Sequence, residues 1–237
     1  SGGTAGASLA ILLGLNQPYI LPGGAFFGAV LAVSTVYLIS RGRFGSSTYS
    51  LILAGVALSA LFSAFTSFFI FLAGPIQQKR ILFWLMGGFG RANWALLRIL
   101  FPVSLIGSGS IMLWSREMNS LALGEEVAFH LGVDPEFMKK MLLGLATAIT
   151  SVSVAVAGAI GFVGLIIPHI IRLVIGPDHR TLLPASAMAG GSFLILADIG
   201  AKTVLQPIEI PVGIITALAG GPFFLYLLRR KIRSGEL

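Results

Sequence analysis

Residues 141–175 read MLLGLATAITSVSVAVAGAIGFVGLIIPHIIRLVI and contain one full charge, Arg172. A membrane-spanning helix takes about 20 mostly apolar residues, so the run is too long for one comfortable span. Gly158, Gly161, Gly164 and Pro168 interrupt it, and such residues inside an apolar stretch mark a break. The run is therefore read as two helices, 138–157 and 159–175. The split decides on which side of a membrane every later loop lies.

Further apolar segments lie near 4–15, 22–40, 49–73, 95–114, 186–201 and 211–228, making eight candidate spans. Turn chemistry separates them at Asn16-Gln17-Pro18, Arg41-Gly42-Arg43, Gly74-Pro75, Gly176-Pro177-Asp178 and Gln206-Pro207. Pro22 and Pro211 stand where a helix can begin without losing a hydrogen bond. The 237 residues are 56% hydrophobic and 11% charged, with a mean hydropathy of +0.93. So few charges cannot cover a soluble domain, and the expected fold class is an all-α polytopic membrane bundle forming one domain over 1–237. A soluble catalytic domain is excluded. The chain has no cysteine, which excludes disulfides and thiolate metal sites. Its net charge of +7 fits cytoplasmic loops beside anionic lipid, and no basic run with interleaved aromatics points to a nucleic-acid partner.

With the split in place, eleven of the sixteen Lys and Arg residues fall in the loops after 40, 114 and 175 and at the C-terminus. That side is cytoplasmic by the positive-inside rule. A short internal repeat supports the same count: Ala5-Gly6-x-Ser8-x-x-Ile11-Leu12 returns as Ala189-Gly190-x-Ser192-x-x-Ile195-Leu196. Likewise Pro22-x-Gly24 with Tyr37-Leu38-x-x-Arg41 returns as Pro211-x-Gly213 with Tyr226-Leu227-x-x-Arg230. Both copies end in basic clusters, which is simplest if the copies are parallel and separated by an even number of spans. Internal repeats are common in transporters.

The spans are nearly free of acids: Asp198 lies close to a span end and Glu209 in a loop. This disfavours an ion-coupled secondary carrier, which places carboxylates in mid-membrane despite their insertion cost. An intramembrane serine protease would have only Ser192 with His169 to draw on, and Ser8 is an equally plain counterpart of Ser192 in the repeat. His130, His169 and His179 lack the spacing of a metal site. With no phosphate-cradling G-x-x-x-x-G-K-[S/T] motif either, the sequence assigns no catalytic residue, metal ligand or cofactor. Ser59, Ser63 and Thr66 share one face of the 49–73 helix; that face either lines a polar pathway or bonds a neighbouring helix. The most informative polar stretch is 116–135. Within it Glu125 to Leu131 reads as a short helix, with Gly124 before it, Gly132 as a left-handed terminator and Pro135 ahead of the next span. Val127, Ala128 and Leu131 could fill a groove on another protein or rest on the chain's own bundle or on lipid.

Several stretches together resemble the permeases of ABC importers for iron-siderophores, haem and cobalamin. They are Leu121-Ala122-Leu123-Gly124-Glu125 through Leu131-Gly132, the run from Gly161 to Arg172, and Asp178-His179-Arg180 with Leu183-Pro184. Leu196-Ala197-Asp198, Ile210-Pro211-Val212-Gly213 and Met86-Gly87-Gly88-Phe89-Gly90 complete the set. The resemblance implies a ten-span permease pairing with a second permease subunit in a dimer. It also implies two cytoplasmic ATP-binding subunits and an extracytoplasmic substrate-binding protein. This chain, opening Ser1-Gly2-Gly3, starts inside what resembles the third span, so about two spans are expected to precede it. Glu126-x-Ala128-x-x-x-Gly132 is similar to the coupling element that seats in an ATPase groove, so Glu125, Glu126, Ala128, Leu131 and Gly132 are expected to form it. The resemblance also places Thr48 and Tyr49 at a cytoplasmic gate, turns Ser59, Ser63 and Thr66 towards a pathway, and makes Lys202 an external docking point for the binding protein.

Overall fold

Each of the eight apolar segments folds as an α-helix. The computed structural model describes residues 1–15, 17, 19–42, 45, 46 and 48–234; Asn16, Pro18 and Arg43, read above as turn residues, lie outside them. The helices are α1 (Gly2–Leu12), α2 (Ile20–Ser40), α3 (Thr48–Leu72), α4 (Pro75–Leu85), α5 (Trp94–Leu113) and α6 (Ser115–Ala122). They continue with α7 (Glu125–His130), α8 (Pro135–Ala157), α9 (Val163–Ile175), α10 (His179–Thr203) and α11 (Val212–Ser234). A two-residue ladder, Arg41–Gly42 (β1) against Gly45–Ser46 (β2), closes the turn between α2 and α3.

The long run divides as read. α8 stops at Ala157, Gly158 takes φ +74°, and α9 starts only after Phe162, itself at φ +67°. Among the described residues five helices, α2, α3, α5, α8 and α10, are long and apolar enough to cross a membrane. α9 has 13 residues, about 20 Å at 1.5 Å per residue against a hydrocarbon core of about 30 Å. α1 and the apolar part of α11, Val212–Leu227, are also short.

Boundaries follow local chemistry. Asn93 caps α5 by accepting from the Leu96 N–H at 2.9 Å, and Asp178 caps α10 through the Arg180 N–H at 3.0 Å. That cap starts α10 seven residues earlier than the apolar segment at 186–201 suggests, and the helix carries Pro184 inside it. Two helices escape the sequence reading. α4 was expected to be connection; its polar Gln77-Gln78-Lys79-Arg80 run hides Ile81 and Trp84, both essentially fully buried. Gln77 Oε1 accepts from the Gly74 N–H and Gln78 Nε2 donates to the Ile70 carbonyl, locking the α3–α4 corner. α6 continues α5 after Trp114 as a polar, amphipathic helix.

The chain divides into two compact units. The first, Ser1–Leu85 with Gly90–Gly158, is built around Ala7, Ile11, Ala25, Ile81, Trp84 and Ala155. In it α1 and α2 meet backbone to backbone, because a Cβ on Gly6 would collide with the Gly24 carbonyl; small residues give spanning helices such close approach. The second, Met86–Phe89 with Ala159–Leu237, packs Ala197, Ala201 and Val212 with Phe89, Ile160 and Ile215.

Candidate functional site

The polar stretch 116–135 folds into a short platform at the start of α8. Gly124, at φ +120°, breaks α6 from α7. α7 ends in a Schellman arrangement: the Val133 N–H donates to the Ala128 carbonyl at 2.9 Å and the Gly132 N–H to the Phe129 carbonyl at 3.0 Å. This places Gly132 at φ +83°, a left-handed conformation that costs an L-residue roughly 1–2 kcal/mol. Asp134 then caps α8, accepting from the Glu136 and Phe137 N–H groups at 2.9 and 3.1 Å. Pro135 occupies the first turn, where its missing N–H costs nothing.

Two interactions fasten α7. Ala128 is completely buried, so its methyl seats the helix on its own chain and does not face outward with Val127 and Leu131. Lys139 of α8 bonds Glu125 at 2.7 Å, across 14 residues of sequence, with the lysine side chain only 15% exposed. Beneath the platform Trp114 meets the Phe137 ring edge to face at 6.1 Å, and Met138 is fully buried. Glu126 and Gly132 are exposed, and Val127, Phe129 and Leu131 present 43%, 68% and 61% of their surface. The outcome is a fixed knob with an apolar tip and an acidic flank. The reading of the sequence missed Phe129, although it sits inside the quoted stretch, and Lys139, whose partner lies beyond any local spacing rule.

The remaining expected site residues are placed less uniformly. Thr48 is the first residue of α3, and its side chain lies outside what the structure describes; Tyr49 is 73% exposed. Ser59 and Ser63 are exposed, the former bonding Ser1 through their hydroxyls at 3.1 Å. Thr66 is buried, its hydroxyl donating to the Phe62 carbonyl of its own helix at 2.9 Å. The hydroxyls therefore do not form one continuous exposed stripe. α3 still buries least of the five long helices, 6% of its apolar window. Lys202, near the end of α10, is engaged by Asp198 one turn earlier, at 2.6 Å, and keeps 46% of its side chain exposed.

The profile described as the FecCD transport family matches residues 1–230. The chain is 45% identical over 98% of its length to the cobalamin import system permease protein BtuC of Halobacterium salinarum, and spans 64% of that protein. It is 37% identical over 98% of its length to the hemin transport system permease protein HmuU of Yersinia pestis, spanning 72% of it. A solved inward-facing structure, of a transporter assigned to the metal-chelate ABC type, superposes with a TM-score of 0.89 at 34% identity. That superposition covers 97% of this chain and 73% of the other. The two named relatives are transport permeases and not enzymes.

Proposed function

The chain belongs to the FecCD transport family and is a multi-pass protein of the cell membrane, and from that premise we propose that it is a permease subunit of an ATP-driven importer for bulky metal chelates. Cobalamin and haem, the cargoes in the names of its relatives, and iron-siderophores are the candidate substrates. Residues 1–237 act as one transmembrane permease domain and pair with a second permease subunit, with α3 and its exposed Tyr49, Ser59 and Ser63 facing the path between them.

The observation that carries this reading is the α7 knob. A helix of six residues has no independent stability, yet it is capped, salt-bridged and seated while its apolar tip stays uncovered. Such a part suits the transmission of force: a partner that grips Phe129 and Leu131 moves α8 with them, because the Lys139–Glu125 bond ties the two together. Glu125, Glu126, Ala128, Leu131 and Gly132 make up this handle, and the motor is a pair of separate cytoplasmic ATP-binding subunits. Closure of that pair would shift α7 and switch the spans between inward and outward states by differential contacts. Lys202 docks an acidic group of an extracytoplasmic binding protein, exchanging Asp198 for it. This chain performs no covalent step.

The test is co-purification of the chain with its ATPase and vanadate-sensitive hydrolysis by the assembled complex. Glu126→Arg is expected to weaken assembly without unfolding the permease. Uptake that runs without any ATPase and collapses with an ionophore would instead mark an ion-coupled carrier.

A further inference from the structure

A cavity of about 290 Å³ opens between α2 and α8 in the first unit. The two helices run antiparallel there: a Cβ on Gly3 would touch both Ala25 near the start of α2 and Val154 near the end of α8. Tyr37, late in α2, and Lys140, early in α8, therefore share one end of the cleft. Phe26 and Val30 of α2 and Ala148 of α8 line its other end. From Tyr37 back to Phe26 the helix rises about 16 Å, and from Lys140 to Ala148 about 12 Å. The cleft thus runs from the platform end of the bundle well into the span, polar at its mouth and apolar at depth.

Charge is arranged unevenly at that mouth. Lys139 is engaged by Glu125 at 2.7 Å, whereas among the described residues its neighbour Lys140 has only a loose contact with Glu136 at 3.9 Å and is half exposed. The Tyr37 hydroxyl is buried without a hydrogen-bond partner among the described residues, a cost that a turn of the ring towards an acceptor in the cleft would remove. Gly144 leaves the wall open: nothing lies within 4 Å of where its Cβ would be. A cation and a phenol over a slot walled by Val33, Leu143 and Gly144 complement an amphiphile with an anionic head and an acyl tail, and basic pockets between spanning helices on the cytoplasmic side bind such headgroups.

We infer that the α2–α8 cleft is a binding site for an anionic phospholipid of the cytoplasmic leaflet, its phosphate held by Lys140 and Tyr37 and one acyl chain lying against Phe26, Val30 and Val33. The site requires that the chain spans the membrane with its basic loops on the cytoplasmic side, and stands whether or not α7 grips an ATPase. Because Lys140 follows the lysine that holds Glu125, the occupied cleft also steadies the base of α7.

The purified full chain is titrated with phosphatidylglycerol, with phosphatidylcholine of the same acyl chains, and with inorganic phosphate, and retained lipid is read by native mass spectrometry. The expected result is preferential retention of phosphatidylglycerol, a preference reduced roughly fivefold by Lys140→Gln and kept by Lys140→Arg. Gly144→Leu, which fills the slot, is expected to lower retention of both lipids. Equal retention of the two lipids, unchanged preference in Lys140→Gln, or displacement of the lipid by phosphate alone would overturn the inference. The Lys140 pair decides it even if Gly144→Leu does not fold, since Lys140 is a half-exposed surface residue.

Discussion

Two ion pairs of similar length sit at the two expected partner contacts, and they do different things. Glu125–Lys139, at 2.7 Å, joins separate helices and carries a low-exposure lysine. Asp198–Lys202, at 2.6 Å, closes one turn within α10 and leaves its lysine nearly half exposed. The first fixes the attitude of one element on another; the second only parks a side chain. Distance alone does not distinguish a structural tie from a resting contact. What distinguishes them is the number of backbone degrees of freedom that the contact removes.

The largest effect should come from destroying the frame that holds α7. Gly132→Pro removes the N–H that bonds Phe129 and demands a φ near −65° where the chain has +83°, a cost of about 3 kcal/mol or more. ATPase co-purification is expected to be lost while the long helices keep their circular-dichroism signal; intact assembly would refute the coupling role. Next, Phe129→Ala leaves every cap and the Lys139 bond in place and removes the exposed tip. Affinity for the ATPase, measured by titration of the detergent-purified subunits, should fall by roughly thirtyfold, the scale of an interface hot spot.

A subtler change is Lys139→Gln. The tie is partly exposed on its glutamate side, so the free permease should lose less than about 1 kcal/mol of stability. Cargo-stimulated hydrolysis should nevertheless drop several-fold, because a loosened α7 moves without α8. Normal coupling with normal stability would reduce that bond to the rank of the Asp198–Lys202 contact. Smallest of all should be Asp198→Asn, worth a few tenths of a kcal/mol as an i,i+4 pair. The melting temperature is expected to stay put, binding-protein docking to hold or tighten, and Lys202→Glu to weaken docking; the opposite order would deny Lys202 its external role.

Much of the fold was legible because an apolar run must form a helix to satisfy its backbone in lipid. The eight segments, the break after Ala157, the Gly132 terminator and the helix from Glu125 onward all express that constraint or local φ preference. α4 was not legible, because Gln77, Gln78, Lys79 and Arg80 look like a loop until their partners, the Gly74 N–H and the Ile70 carbonyl, are known. The spacing that puts Thr66 on one face with Ser59 and Ser63 left open whether that face lines a pathway or meets a neighbouring helix, because it fixes which residues share a side but not how far a neighbour covers it. Whether Ala128 meets a partner or rests on its own bundle stayed open for the same reason, and burial shows that its methyl turns inward.

The residue order by itself determined that the chain crosses a membrane, where most helices start and stop, and where the polar handle lies, since hydropathy and capping act over distances of one turn. Only the tertiary structure decided which face of α7 is anchored and which is free, that Lys139 and not its neighbour Lys140 holds Glu125, and that a cleft remains between α2 and α8. Those outcomes depend on which side chains from distant segments arrive at the same place, and no periodicity within a single helix encodes that arrival.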